Sequence, residues 1–519
     1  MILENKGENS IPPTWLKVKL AEITRKITDG THHTPKYTEK GIPFISVKNI
    51  RNGIISFDNC KYISEEEHER LIKRCNPKIG DVLITKSGTI GRIAVIKEDK
   101  SFSLFVSVAL IKPDKEYVDS EFLSYSLENY IKSIDIQQTV KGGVIKNLHL
   151  EDLRQIEIFL PPLNHQKQIT AKFEVLFTQL EAGVVSLKQT KEYLQTYRQA
   201  LLKAAFEGKL TEKWRVKQKL LGNYDVKKRG SYDYIESTST LIEKILDEKR
   251  KNWEKNYLLG KKSKEITSKN ESWKKKYKGP SFEYEFYHPL PDSWKVANLK
   301  IVSDEINDCL HSTPKLAKSG QVLLKSENIK YGKFDFSKKF YVTDEDYIER
   351  SRRSELQEGD ILFVREGTIG TSAIIPSNFR ACMGQRMLQI RINENLNHKF
   401  FFYCLLSPII KAIILRNQMG TTATRINMKQ IRNLLVPIPP KKEQDRIVDE
   451  IELMFSIIDN LITIVKNSER NTHNLRQTIL KQAFIGKLVP QISDEILRDE
   501  TIKMQKIKSK QMRLSDYGD

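Results

Sequence analysis

The fold of this chain is decided by the segment PPLNHQKQITAKFEVLFTQLEAGVVSLKQTKEYLQTYRQALLKAAFEGKL, residues 161–210, which returns in the same layout as PPKKEQDRIVDEIELMFSIIDNLITIVKNSERNTHNLRQTILKQAFIGKL at residues 439–488. In both copies a Pro-Pro pair opens a stripe of positions that step by four and three. These positions are Ile169, Phe173, Leu176, Leu180, Gly183, Leu187, Thr190, Leu194, Tyr197 and Leu201, and then Ile447, Ile451, Met454, Ile458, Leu461, Val465, Ser468, Thr472, Leu475 and Ile479. The spacing predicts two long helices that pair as a coiled coil.

The way the helices are connected favours an antiparallel pairing. Each helix follows its own preceding module after a short joint, whereas a long segment joins the two modules. A helix over residues 169–210 would be roughly 60 Å long at about 1.5 Å per residue, so we expect a rigid spacer. The alternative is that each stripe packs only on its own module.

The region before each helix is also duplicated. Trp15, Gly80-Asp81 and Gly88-Thr89-Ile90-Gly91 recur at one constant offset as Trp294, Gly359-Asp360 and Gly367-Thr368-Ile369-Gly370. Within the first copy, short apolar runs at 42–47, 81–85, 94–96 and 107–111 predict strands, and residues 120–134 predict a helix. The expected fold class is α+β, with two globular modules in a pseudo-twofold arrangement, separated by two long helices that form an antiparallel coiled coil.

These patterns divide the chain into six segments. They are a first module at 1–160, a central helix at 161–210, a charged and partly helical linker at 211–288, a second module at 289–438, a C-terminal helix at 439–489 and a tail at 490–519. The linker holds 20 Lys and Arg against 12 Asp and Glu. Within it, Thr240-Leu241-Ile242-Glu243 resembles a capping box that opens a helix ending near Leu259.

Composition limits the classes of function. The formal net charge of +21 indicates a polyanionic partner such as nucleic acid, although a basic surface that serves only solubility has the same charge. The five cysteines are scattered without a CxxC pair, which indicates a reduced, cytoplasmic protein with no zinc site. No apolar run is long enough to span a membrane, and the first residues do not resemble a secretion signal, so neither membrane insertion nor secretion is expected.

Motifs for nucleotide or methyl-donor chemistry are missing from the sequence. The two GTIG segments lack the lysine of a phosphate-binding P-loop, and no glycine-rich methyl-donor loop follows a strand. An alternative function is a metal-dependent nuclease that would bind Mg²⁺ with Asp81, Glu98 and Lys100. The second copy keeps Asp360 but has Ser377 and Phe379 in place of the other two residues, which argues against that alternative.

The loops of the two modules share a glycine scaffold and differ in their polar side chains, as expected if one scaffold presents different groups to different bases. A tight turn that only connects two strands would explain the glycines equally well. The candidate DNA-binding residues are Thr31, His32, Lys36, Lys86, Ser87, Thr89, Arg92 and Ser107 in the first module, and Lys315, Arg365, Thr368, Gln385 and Arg386 in the second. Gln385 and Arg386 have the chemistry for bidentate base contacts. No metal ligands are assigned, because the copy of His32-His33 offers only His311.

The combination of two variable modules, a Pro-Pro-x-x-x-Gln joint and a long helix ending in Phe-x-Gly-Lys-Leu resembles the specificity subunit of type I restriction-modification systems. The resemblance covers about residues 12–489. It implies that each module is a target recognition domain for one half of a bipartite sequence in double-stranded DNA. It also implies that the helices set the gap and dock two modification subunits. The resemblance does not assign individual base-contacting residues.

The resemblance also implies a division of labour. The chain would be non-catalytic and bind no cofactor, with S-adenosylmethionine on the modification (methyltransferase) subunits, and ATP and Mg²⁺ on restriction subunits that translocate and cut DNA. A third possibility is a structural coiled-coil adaptor with no role on DNA, for which the heptads alone would be sufficient.

Overall fold

The computed structural model describes residues 11–141, 147–260, 288–330, 332–353, 355–417 and 425–491, together with residues 274, 277 and 286. The chain forms two compact units. Unit 1 runs to Lys188 and resumes at Lys466, and unit 2 is Gln189–Val465. Two parts of the sequence-based division, residues 261–273 of the linker and 492–519 of the tail, lie outside the described residues.

Unit 1 contains the first α+β module and one part of each long helix. Its strands are β1 (Leu16–Lys19), β2 (Thr24–Asp29), β3 (Ile42–Ile45), β4 (Ile50–Arg51), β5 (Ile54–Ile55), β6 (Lys61–Ile63), β7 (Val82–Thr85), β8 (Ile93–Val95), β9 (Ser103–Leu104), β10 (Val108–Pro113) and β11 (Glu157–Leu160). Its helices are α1 (Glu65–Ile72), α2 (Ser120–Lys141), α3 (Leu150–Arg154) and the beginning of α4 (Leu163–Phe206). The four strand predictions and the start of the predicted helix at Ser120 are confirmed.

Unit 2 contains the end of α4, the linker helices and the second module. The linker forms α5 (Glu212–Leu220) and α6 (Thr238–Gly260). The strands of the module are β12 (Lys295–Asn298), β13 (Ser303–Asp308), β14 (Gln321–Leu324), β15 (Ile329–Lys330), β16 (Lys333–Phe334), β17 (Tyr341–Val342), β18 (Ile361–Val364), β19 (Ser372–Ile374), β20 (Ala381–Met383), β21 (Met387–Ile392) and β22 (Leu435–Ile438). The helices are α7 (Leu299–Val302), α8 (Asp344–Ser351), α9 (His398–Leu406), α10 (Pro408–Asn417), α11 (Met428–Arg432) and the beginning of α12 (Lys441–Phe484).

The two modules have the same sheet topology. A four-stranded antiparallel sheet has the order β2-β10-β7-β8 in unit 1 and β13-β21-β18-β19 in unit 2. A three-stranded sheet has the order β6-β3-β9 in unit 1 and β17-β14-β20 in unit 2, with one parallel pair in each. The duplication seen in the sequence is therefore a duplication of the fold.

Both faces of the four-stranded sheet are buried, which explains why its strands are apolar throughout. In β7 the side chains of Val82 and Ile84 enter the core that contains the long helices, while Leu83 enters a second core beneath the smaller sheet. In β18 the side chains of Ile361 and Phe363 likewise enter the core that contains the long helices, while Leu362 enters a second core. A strand with two buried faces reads as a continuous apolar run rather than an alternating one.

The long helices pair antiparallel inside each unit. In unit 1, Phe173 near the beginning of α4 lies 6.1 Å from Phe484 at the end of α12, measured between ring centroids. In unit 2, Arg198 near the end of α4 forms an ion pair of 2.5 Å with Asp459 of α12. The helix ends also belong to the cores of the modules, where Phe484 contacts Phe122 and Phe206 contacts Phe400. The stripes therefore serve both the helix pair and the modules.

Some stripe positions are not buried as the heptad pattern predicted. Tyr197, Leu461 and Leu475 are exposed. Other positions outside the stripe, such as Leu202 and Leu480, are fully buried. The helix ends pack on a module as well as on each other, so the buried face turns away from a strict heptad seam.

The linker helix α6 is part of the core of unit 2. Its residues Leu241, Ile242 and Ile245 are buried there, and the Thr238 hydroxyl donates to the Ser293 carbonyl at 2.7 Å. The predicted capping box at Thr240 is wrong, because the helix begins at Thr238 and the hydroxyl of Ser237 accepts from the Thr240 N–H at 3.2 Å. Ser237, three residues before Thr240, offers the same capping chemistry, so the pattern alone did not distinguish them.

Among the described residues no single helix is long and apolar enough to cross a membrane. The pair α9 and α10 meets that criterion only jointly and bends by 61° between its two halves.

A buried glutamine joins each helix to its module. The Gln166 side chain accepts from the Asp119 N–H at 2.8 Å and donates to the carbonyls of Tyr117 and Pro161 at 2.9 and 2.8 Å. Gln444 repeats the arrangement with the Asn397 N–H and the Pro439 carbonyl, both at 2.9 Å. The Pro-Pro-x-x-x-Gln motif thus fixes the first turn of each long helix to the residue that precedes α2 in unit 1 and α9 in unit 2.

The residue before that glutamine differs between the units. In unit 2, Glu443 accepts from the Trp294 indole at 3.0 Å and the Thr211 hydroxyl at 2.8 Å, and pairs with Arg215 at 2.9 Å. In unit 1 the corresponding residue is His165, whose ring lies edge-on to Trp15 with centroids 5.8 Å apart. Burial lowers the pKa of His165.

We expect Gln166→Ala to destabilise the protein by on the order of 2–4 kcal/mol, because it leaves the Asp119 N–H and the carbonyls of Tyr117 and Pro161 without the partner that the buried glutamine provides. Chemical denaturation of the purified chain measures this change. Gln168→Ala is the matched control, since Gln168 is an exposed residue of the same helix. Equal stability of the two variants would contradict the role of Gln166 in the joint.

Candidate nucleic-acid interface

Three loops meet at one end of the four-stranded sheet in each module. They are the loop after β2, the β7–β8 turn and the loop before β10 in unit 1, and their counterparts in unit 2. Backbone hydrogen bonds join them: Lys86 N–H donates to the Ser107 carbonyl at 2.9 Å, and Val106 N–H donates to the Thr31 carbonyl at 2.9 Å. In unit 2, Arg365 N–H donates to the Arg386 carbonyl at 2.9 Å. Most of the sequence-predicted site residues lie on these loops.

A buried carboxylate organises the loops of unit 1. Asp29, at the end of β2, is 1% exposed. Its oxygens lie 2.6 Å from Lys86 Nζ, 2.5 Å from an Arg74 nitrogen and 3.3 Å from His32 Nε2. A carboxylate without water needs such partners, so Asp29 gathers basic side chains from three parts of the chain. Burial raises the pKa of the neighbouring Cys75 thiol to about 12, so this thiol is protonated at neutral pH.

Unit 2 repeats this cluster with different basic groups. Asp308 lies 3.0 Å from Arg365 Nε and 3.3 Å from His311 Nε2. Arg353, the counterpart of Arg74, donates to the backbone carbonyl of Asp308 at 3.3 Å. The carboxylate and the histidine are common to both units, whereas Lys86 of unit 1 is replaced by Arg365 in unit 2.

The glycines of the GTIG loop serve a tight turn between two strands. The Thr85 hydroxyl donates to the Thr89 carbonyl at 2.6 Å and accepts from the Arg92 N–H at 2.9 Å. Gly88 and Gly91 have φ values of +75° and +80°, which L side chains rarely adopt. A Cβ added at Gly91 would also overlap the Ile131 side chain. The turn alternative left open by the sequence accounts for these glycines, and the turn exposes Thr89 between them.

Several predicted DNA-binding side chains have partners within the protein. Arg92 donates to the carbonyls of Val47 and Ile50, both at 3.2 Å. Gln385 donates to the His311 carbonyl at 2.5 Å. Lys86 is paired with the buried Asp29 and Arg365 with the half-buried Asp308. Ser107 is buried, and the Thr31 hydroxyl accepts from the His33 N–H at 3.2 Å. This geometry suits residues that position the loops.

Other predicted residues face solvent. His32, Lys36, Thr89, Lys315, Thr368 and Arg386 are exposed, and Ser87 is half-buried. Arg386 has an unusual backbone, with a φ of +70°. Its side chain is 59% exposed, with Nε 4.0 Å from a Glu366 oxygen. A bulky residue with positive φ costs free energy, which is often associated with function.

Sequence reasoning missed Arg74 and Arg353 as members of the two clusters. Both follow a short amphipathic helix, α1 or α8, and both occupy the same position in the duplication. The signal was a basic residue kept at the repeat offset, but the loop partner of each arginine is distant in sequence.

The geometry does not favour the nuclease alternative. The Asp81 carboxylate accepts from the Lys78 N–H at 2.8 Å and pairs with Lys112 at 2.5 Å. Lys100 lies over the Phe57 ring, 4.0 Å from its centroid. Within the part of the chain that the structure describes, no group of three His, Cys, Asp or Glu side chains could hold a metal ion.

Comparison with known proteins places the duplication in a family. The model of the type I restriction modification DNA specificity domain matches residues 12–186 and 305–471, more than half of the chain. The chain therefore belongs to the type I restriction-modification specificity subunits, with two DNA recognition domains.

Relatives and solved structures agree with this placement. The EcoKI specificity subunit of Escherichia coli (strain K12) is 23% identical over 501 residues, 93% of this chain and 90% of the relative. A putative MjaX specificity subunit of Methanocaldococcus jannaschii is 27% identical over 491 residues, covering 92% and 94%. The HsdS subunit from Thermoanaerobacter tengcongensis has the same fold, with a TM-score of 0.51 and 18% identity over 92% of this chain and 98% of that one. A chain from a study of complex assembly and conformational transition of the type I R-M system gives a TM-score of 0.58 at 18% identity, covering 92% and 99%.

We expect Gly91→Ala to destabilise the protein more than Gly88→Ala. Both variants force alanine into a left-handed conformation, at roughly 1–2 kcal/mol. Only Gly91→Ala also forces a methyl group into Ile131, which adds about 1–3 kcal/mol. Urea denaturation of the two variants checks the difference, and a larger loss for Gly88→Ala would contradict the packing of this turn.

Proposed function

We propose that this specificity subunit reads a bipartite target in double-stranded DNA, one half with each module. The first recognition module is assigned to residues 1–160 and the second to 289–438, with the helices at 161–210 and 439–489 setting the gap. The observation that carries the proposal is the repeated loop cluster, in which one backbone arrangement has Ser87 and Ser107 in the first module but Glu366 and Arg386 in the second. A shared scaffold with unlike readers fits a target with two unlike halves.

Affinity and specificity have different sources in this proposal. The net charge of +21 supplies attraction to phosphates that does not depend on sequence. Exposed side chains on the loops supply discrimination, at about 1–3 kcal/mol for each good bidentate base contact. Two modules in successive major grooves would read sites about 34 Å apart, which is roughly one turn of the duplex.

We assign the exposed loop residues to DNA and the internally paired ones to positioning. Lys36, Ser87 and Thr89 in the first module, and Lys315, Thr368 and Arg386 in the second, are the proposed contacts. His32 would have both roles, because it is exposed and its ring also pairs with Asp29. Lys86, Arg92, Arg365 and Gln385 would hold the loops, because each has a partner within the protein. Thr31 and Ser107 would act in the same way through the backbone bonds of their loops.

Catalysis belongs to other subunits in this proposal. Methyl transfer from S-adenosylmethionine would occur on two modification subunits, and ATP and Mg²⁺ would be used by restriction subunits. The capture of Asp81 by Lys112 supports the non-catalytic assignment, since it removes the carboxylate that the nuclease alternative requires.

The helices offer a surface for the modification subunits. In unit 2, Tyr193 and Tyr197 of α4 are exposed, as are Leu453, Ile457 and Ile464 of α12. Several large apolar residues exposed on the same pair of helices are typical of a protein interface. We assign this face to docking of the modification subunits.

The organisation of the recognised DNA sequence tests the proposed function directly. Sequencing of methylated bases in cells that express this chain with its modification subunit should reveal one motif of two specified parts separated by an unspecified gap. A continuous motif without a gap would refute the proposal, and the same cells without this chain provide the control.

We expect Arg386→Ala to relax the target at one position of one half-site only. Loss of a bidentate contact costs about 1–3 kcal/mol of discrimination at that base, while the half read by the first module stays unchanged. The methylated motif of the variant measures this effect. Lys300→Ala is the control, because Lys300 is an exposed basic residue of the same module that lies on α7, before the beginning of β13, whereas the loop cluster lies at the end of β13. An unchanged motif for Arg386→Ala would exclude base reading by Arg386.

A further inference from the structure

The linker after α4 exposes a dense group of large apolar side chains. Within residues 211–235, five such residues face solvent: Val216, Leu220, Leu221, Val226 and Tyr232. We call these five residues the linker patch. Leu220, Val226 and Tyr232 are 83%, 68% and 93% exposed. Isolated exposed apolar residues are ordinary, but this many in so short a segment indicate a binding surface.

The segment that carries the linker patch is folded. Asn223 N–H donates to the Gln218 carbonyl at 3.1 Å, and Ile235 N–H donates to the Asn223 carbonyl at 2.7 Å. Lys228 Nζ donates to the Leu221 carbonyl at 2.6 Å. These bonds hold α5 and the following turns together. The apolar side chains are therefore presented outward by an ordered backbone.

The same segment is attached to the two long helices within unit 2. Thr211 and Arg215 bind the buried Glu443 in the first turns of α12. Lys442 of α12 donates to the Tyr232 carbonyl and lies 4.8 Å from the centroid of its ring. The linker patch is thus fixed beside the end of α4 and the beginning of α12.

Basic side chains surround the linker patch. Lys213, Lys217, Lys219, Lys227, Lys228 and Arg229 are all exposed, against the exposed acidic residues Glu212, Asp225 and Asp233. A duplex backbone would use the positive charge but would gain little from Leu220 or Val226. Protein interfaces combine an apolar centre with a polar or charged rim. The composition therefore favours a protein surface with apolar residues at its centre and acidic residues around them.

We propose that the linker patch docks a modification subunit through such a surface, which extends the contact made by the helices. This inference rests on the proposed function, since it requires that modification subunits bind α4 and α12. The attachment of the linker patch to α12, one of the two helices that carry the proposed docking residues, selects this partner over the other subunits.

The test measures binding of the purified modification subunit to the full-length chain by isothermal titration calorimetry. We expect the double variant L220S and V226S to raise Kd at least tenfold, and the variant K217E and K219E to raise Kd most at low salt. Ile348→Ser is the matched control, because Ile348 is also 68% exposed but lies on α8 of the second module. Circular dichroism shows that each variant is folded.

The outcomes separate the two proposals. If the wild-type chain binds the modification subunit and the double variant binds it equally well, the linker patch inference is wrong and the proposed function stands. If the wild-type chain does not bind the modification subunit, both fail.

A photo-crosslinking amino acid at position 232 gives an independent readout in the complex with target DNA. Crosslinks to acidic peptides of the modification subunit support the inference. Crosslinks to DNA alone, or none to another molecule, overturn it.

Discussion

Both modules depend on one packing constraint: each buries its core against the beginning of one long helix and the end of the other. In unit 1, Phe173 of α4 and Phe484 of α12 belong to the same core as Phe122 of the module. In unit 2, Phe206 and Ile451 have the corresponding positions. Burial of each such side chain stabilises the fold by about 1.5–3 kcal/mol, so a module separated from either helix would lose several such contributions. Because each module covers one side of both helices, this packing also decides which helix residues stay exposed to solvent.

The loop clusters show how one scaffold carries two specificities. The aspartate that ends β2 or β13, the histidine three residues after it and the glycine turn are the same in both units. Side chains on this frame differ between the units, as the replacement of buried Ser107 by exposed Arg386 illustrates. Asp29 and Asp308 form ion pairs with basic side chains of the loops. These ion pairs stabilise the loop conformation without a ligand.

The sequence predicted the parts of the fold that rest on local patterns. The Pro-Pro joints, the two long helices and the apolar strands follow from periodicity and from the behaviour of proline. Tyr197, Leu461 and Leu475 were placed wrongly, because a heptad count considers only the partner helix and not the module that also packs there. The roles of Lys86 and Arg92 were beyond prediction for a related reason, since their partners come from distant strands and loops that only the tertiary fold brings together.

The two joints between a module and its long helix offer different partners to the tryptophan of the module. Trp15 and Trp294 have the same place in the duplicated scaffold, yet one lies against a neutral histidine and the other donates to a glutamate that also binds a threonine and an arginine from the linker. A recombination event that moved the first module onto the second helix would bring its tryptophan beside Glu443, where the network with Thr211 and Arg215 already exists. The reverse exchange would place Trp294 beside His165, where its indole N–H would have no acceptor, as is the case among the described residues for the indole N–H of Trp15 in this structure. A module moved onto the second helix would therefore gain a hydrogen bond for its tryptophan, and a module moved onto the first would lose one, although the two scaffolds are alike.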